Sequence, residues 1–159
     1  MEFEAFRVIA QIATALVGFA GIIVALRSRL DDLPPLQLTG FLQTSIGALV
    51  FSMLPDLASL LALLSGWSWQ VLCGAFGLYQ LVIWANFVIR YPDLRRMRPL
   101  QGAITIASLP VIGVLMAAGA GAFAGVMAGV YLLGLIWLLA VSLLFFVQVL
   151  MIDDGKDRQ

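Results

Sequence analysis

The chain has no histidine, one lysine and one cysteine among its 159 residues. Without histidine there is no imidazole-ligated haem or zinc, and no Ser-His or Cys-His dyad. The single cysteine, Cys73, rules out an internal disulfide, a CxxC pair and a thiolate cluster. The only lysine, Lys156, stands in the C-terminal tail, which excludes a Schiff base inside a membrane. Charge is scarce too: nine basic and nine acidic residues make up 11% of the chain, against about 25% in an ordinary soluble domain. A soluble fold could not cover itself with so few. Apolar residues dominate instead, at 62% of the chain with a mean hydropathy of +1.04. These proportions predict an integral membrane protein.

Crossing about 30 Å of hydrocarbon takes about 20 apolar residues in a helix. Five stretches read as spans: residues 8–26, 38–64, 69–89, 103–118 and 126–152. The last two come from one apolar run of 51 residues, Gly102 to Ile152. As a single helix this run would be about 76 Å long at 1.5 Å per residue, so it has to fold back. The glycine-rich GAGAFAG, Gly119–Gly125, is where backbone entropy and missing side chains weaken a helix most. The expected fold class is an all-α membrane protein, a polytopic transmembrane helical bundle of about five spans forming a single integral membrane domain, 1–159. No soluble domain, internal repeat or inverted duplication is visible in the sequence.

Orientation follows from the basic residues. With five spans, Arg27, Arg29, Arg90, Arg95, Arg96, Arg98, Lys156 and Arg158 fall at one set of ends, and Arg7 alone at the other. Positive charge is retained on the cytoplasmic side, so the N-terminus is expected outside and the C-terminus inside. Trp67 and Trp69 then sit at the outer interface and Tyr91 at the inner one, where amphipathic rings lie. The first span could be read as the core of a signal peptide, but MEFEAFR before it is acidic and no cleavage site follows. It is expected to be retained. The expected location is a cell membrane, taken as bacterial and cytoplasmic from the small size and the lack of a targeting segment.

Within the spans, Asp56 in FSMLPDLASLL stands out. It lies about nine residues before the outer end of the second span, roughly 13 Å deep. An ionised carboxylate there is costly unless it is paired or faces water. Ser52 and Ser59 share its helix face, Ser45 extends the stripe, and Pro55 cannot supply the N–H that would bond the carbonyl of Phe51. A carboxyl, hydroxyls and a carbonyl on one face suit a cation or proton site. The alternative is a neutral, buried acid hydrogen-bonded to Ser52, Ser59 or an amide on another helix.

Amides and hydroxyls recur inside the spans, at Gln11, Thr14, Gln43, Thr44, Gln80, Asn86, Thr105, Ser108 and Gln148. In hydrocarbon such groups seek partners on neighbouring helices, at about 0.6 kcal/mol per hydrogen bond. Holding helices together is their first expected role, with Gln11, Thr14 and Gln80 the candidates for a polar lining around Asp56. Small residues are spaced for close helix packing: Gly18 and Gly21 in the first span, Gly74 and Gly77 in the third, then Gly113, Gly121, Gly125 and Gly129. Packing within one chain is the first expectation for these faces, and an interface in a homo-oligomer or with a membrane partner the alternative.

The loop RYPDLRRMRP carries Arg90, Arg95, Arg96 and Arg98. Next to the inner surface these would contact anionic lipid head groups, at about 1 kcal/mol per basic residue. Nucleic-acid binding would need a larger basic surface and a folded reader, and none is expected. Asp31–Asp32 and Asp153–Asp154 lack the further spaced ligands of a metal site. No cofactor, no metal and no enzymatic activity are expected. Three functions remain open: an oligomeric channel or transporter subunit using Asp56, a non-catalytic partner or assembly protein, and, least supported, a membrane enzyme using the charged loops.

Overall fold

The computed structural model describes residues 2–27, 35–60, 66–90, 99–123 and 125–153, and 95% of them are helical. Five helices follow one another: α1 (Glu2–Arg27), α2 (Pro35–Leu60), α3 (Gly66–Arg90), α4 (Pro99–Gly119) and α5 (Met127–Asp153). They hold 21 to 27 residues each, or about 32–40 Å, enough to cross the hydrocarbon. A helix is what an apolar run adopts in lipid, because it satisfies every interior N–H and C=O within the segment. Each helix contains a stretch long and apolar enough to span: Glu4–Ile22, Thr39–Leu60, Trp67–Ile89, Gly102–Gly119 and Met127–Gln148.

Two helices begin on proline, Pro35 and Pro99, where the missing N–H costs nothing and the fixed φ suits the first turn. Pro55 and Pro110 instead lie inside α2 and α4. The helix does not stop at Pro55, so Asp56 belongs to the same continuous α2 as Ser52.

The reversal after α4 falls within the expected glycine-rich stretch. The N–H of Ala122 donates to the carbonyl of Ala117, and that of Gly121 to Ala118, both at 3.0 Å. Gly121 has φ +95. These two bonds around a left-handed glycine form a Schellman cap, which satisfies carbonyls that the helix end would otherwise leave open. Gly121, expected to serve helix packing, is thus the residue that stops α4. The chain then turns through Phe123 (φ 70), and Val126 donates back to the Phe123 carbonyl at 2.9 Å before α5 starts.

The chain forms two compact units, one of residues 1–53 and 135–159, the other of 54–134. In the first, Phe146 of α5 lies against Phe19 of α1 and Phe41 of α2, with centroids 5.9 and 5.5 Å away. Gly40 leaves room for the Phe145 ring, which would come within 3.3 Å of a Cβ there. In the second, α3 packs along α4. Tyr131 is fully buried in this unit against the rings of Trp69 and Phe76.

Candidate functional site

Asp56 is half-buried in α2. Ser52 is buried and its hydroxyl donates to the Leu49 carbonyl at 2.8 Å, while the exposed Ser59 donates to the backbone carbonyl of Asp56 at 2.7 Å. A hydroxyl has one proton to give, so neither serine donates to the Asp56 carboxyl. Spacing had placed the three residues on one stripe, but local side-chain-to-backbone bonds claim both hydroxyls, as is common for serine inside helices. Pro55 is buried beside them.

A second polar group lies in the first unit. Thr44, Ser45, Ser52, Ser142 and Gln148 are all buried there. Ser45 and Ser142 share a hydrogen bond of 2.5 Å between α2 and α5. Thr44 donates within its own helix to Gly40 at 2.8 Å, or to Phe41 at 3.1 Å. Ser142 gives no sign in the sequence, since a lone serine within an apolar run acquires meaning only when another helix brings it a partner. Replacing either Ser45 or Ser142 by alanine is expected to destabilise the protein by about 1 kcal/mol, because it strands the other hydroxyl. The double replacement is expected to cost clearly less than the sum. A double-mutant cycle in detergent unfolding checks this, and additive losses would show that the two hydroxyls do not interact.

In the second unit, polar groups are used for helix packing. Gln80 is buried and its Nε2 donates to the Gly134 carbonyl at 3.5 Å. The Trp84 indole N–H donates to the Thr105 carbonyl at 3.0 Å, and the buried Cys73 thiol to the Met127 carbonyl at 3.7 Å. Gly74 and Gly77 face α4: Gly74 meets Gly119, and a Cβ at Gly77 would reach Leu115 and Met116 at 3.0–3.2 Å. Gly119 and Gly134 make still closer approaches, 2.6 and 2.8 Å from a Cβ, that spacing alone did not single out. Gly113, Gly125 and Gly129 have nothing within 4 Å of a Cβ.

The remaining candidates lie on α1, and its side chains sort into three rows. Phe6, Ile9, Ala13, Leu16 and Ala20 are buried. Val8, Ile12, Ala15, Phe19 and Ile22 are exposed and apolar. Glu4, Arg7, Gln11, Thr14, Gly18 and Gly21 are exposed, and all are polar or small. At 100° per residue this third row lies about 150° around the helix from the buried one. Gln11 and Thr14 therefore point away from the interior of their unit rather than into a lining. Thr14 returns its hydroxyl to the Ala10 carbonyl at 2.8 Å, and a Cβ at Gly18 or Gly21 would meet nothing within 4 Å.

Arg95, Arg96, Arg98, Asp31, Asp32 and Asp154 lie outside the described residues, as do the side chains of Arg90 and Asp153. Among the described residues no group of three or more Cys, Asp or Glu is placed to hold a metal ion. The fold and its five apolar helices fit a multi-pass α-helical membrane protein. Comparison with protein-family models, curated proteins and solved structures finds no match to this chain.

Proposed function

We propose that this protein is a non-catalytic membrane assembly factor that works by associating with another transmembrane helix through the outward face of α1. It sits in a bacterial cytoplasmic membrane with its N-terminus outside. One observation carries the reading: Gln11, Thr14, Gly18 and Gly21 are exposed within the apolar span Glu4–Ile22. Lipid tails cannot hydrogen-bond an amide. Polar and small residues are also the types that hold transmembrane helices together, by hydrogen bonding and by close backbone approach. The outward row of α5 provides the contrast. Past the exposed Gly129, the residues Leu133, Ile136, Ala140, Leu143 and Val147 are exposed and apolar, with no amide, hydroxyl or further glycine among them, as a surface facing lipid should be.

A photo-reactive amino acid carried at position 14, on the polar row but clear of the glycines, is expected to form protein adducts in the membranes of the cells that make this protein. The same group at position 15, on the apolar row, is expected to label lipid. Equal labelling at both positions, or lipid alone at 14, overturns the reading.

A second reading is conduction by an oligomer through Asp56, favoured by a half-buried carboxyl inside the span Thr39–Leu60. An ionisable group at that position is costly to keep without a task. Proton or cation flux into liposomes that disappears in Asp56→Asn, at unchanged helicity, would move the function to this class.

A further inference from the structure

We infer that the outward face of α1 binds a second copy of this chain, the two α1 helices packing parallel along the row Glu4, Arg7, Gln11, Thr14, Gly18 and Gly21. The inference rests on the assembly reading above and names its partner.

The row repeats with a period of seven, as 4, 11, 18 and 7, 14, 21. A seven-residue period keeps one seam facing a partner helix in a left-handed crossing of about 20°. Two copies insert with the same orientation, since each obeys the same charge rule. A two-fold axis along the membrane normal then brings equal depths face to face.

At each level the row is complementary to itself. Gln11 meets the partner's Gln11, and a carboxamide both donates and accepts, so two identical side chains satisfy each other. Its depth makes this matter. Whether the span is taken as Glu4–Ile22 or as residues 8–26, Gln11 lies within about 9 Å of the span's midpoint, inside the hydrocarbon. No hydrogen bond to the Gln11 side chain is present among the described residues. One and two turns toward the outer surface, Arg7 and Glu4 carry opposite charges three residues apart. Glu4 of each copy thus comes within about one turn of the partner's Arg7, twice across the axis. The guanidinium has five N–H donors, so it can take this carboxylate in addition to contacts within its own chain. Deeper in, Gly18 and Gly21 present backbone with open space above it, which lets the helices approach closely. An unrelated partner would need its own matching acid, base and amide at these depths, whereas a second copy has them by symmetry.

The test uses the full chain, labelled on its C-terminal tail with donor or acceptor dye and reconstituted in liposomes over a range of protein-to-lipid ratios. Energy transfer above random mixing is expected for the wild type. Gln11→Leu is expected to weaken association about 3-fold to 20-fold, and Gly18→Leu to reduce transfer to the random level throughout. Ala15→Leu, which puts the same leucine side chain on the neighbouring row, is expected to change nothing. Glu4→Arg is expected to weaken association, and the exchange Glu4→Arg with Arg7→Glu to restore it. Helicity by circular dichroism should match in all variants, since every position changed is exposed. Random-level transfer in the wild type overturns the inference, as does loss in Ala15→Leu with retention in Gly18→Leu. If the wild type is monomeric in liposomes while position 14 still forms adducts with a different protein in cells, the assembly reading stands and only the second copy falls.

Discussion

Tyr131→Ala is expected to lower the stability of the protein by about 3 kcal/mol, the largest effect among the substitutions considered. The Tyr131 side chain is fully buried. Its ring stands edge-on to Trp69, with centroids 5.9 Å apart at 70°, and tilted against Phe76 at 5.2 Å. Such aromatic pairs contribute about 0.5–1.5 kcal/mol each beyond the area they bury. In lipid the separated helices do not return their apolar surface to water, so what is lost is mainly packing. That places the cost at the lower end of the range for removing a large aromatic side chain. Tyr131→Phe keeps both ring contacts and should cost about 1 kcal/mol through the hydroxyl alone. Unfolding of the purified protein in bicelles measures both. Equal losses in the two variants would mean that the aromatic cluster does not hold this unit together.

Gly119→Ala is expected to destabilise by about 2 kcal/mol although it adds a single methyl group. A Cβ at Gly119 would lie 2.6 Å from the Cα of Gly74 and 2.8 Å from its nitrogen. Both are backbone atoms and cannot rotate aside, so α3 and α4 would have to separate. The reverse substitution is not its mirror image. A Cβ at Gly74 would meet only the Gly119 Cα, at an ordinary 3.7 Å. Alanine also favours a helix interior by about 0.8–1.0 kcal/mol over glycine. Gly74→Ala is thus expected to be neutral or stabilising. The same unfolding measurement decides it: two losses of equal size would rule out the one-sided approach described here.

Much of this was legible before any helix was placed beside another. Five spans follow from run length, and the return between α4 and α5 follows because 51 apolar residues cannot make one crossing. Even the location of the return could be read, since glycines cluster there. Which of them did the work could not. Gly121 takes a positive φ and closes a Schellman cap, Gly119 makes a backbone contact two residues earlier, and Gly125 does neither. All three are the same residue in the same tract, and they differ only in what stands opposite them.

The polar residues teach the same lesson. Asp56, Ser52 and Ser59 share a helix face by spacing, yet both hydroxyls turn to carbonyls of their own helix, which no spacing rule can forbid. Ser142 acquires a role from Ser45, 97 positions earlier in the chain. Gln11 and Thr14 have the composition of interior residues in a membrane bundle, and they lie on the far side of α1 from its buried row.

Composition and run length alone determined that the chain is an α-helical membrane protein with five spans, because hydrocarbon makes the same demand on every backbone group whatever the neighbours are. The distribution of arginines set the expected orientation for an equally local reason. The tertiary structure decided which side of each helix is covered. In lipid, apolar residues are at home on both the inner and the outer face, so hydrophobicity does not mark the interior as it does in water. Only the placement of the helices separates the buried row of α1 from the polar row on its opposite side, and that second row is where the function is proposed.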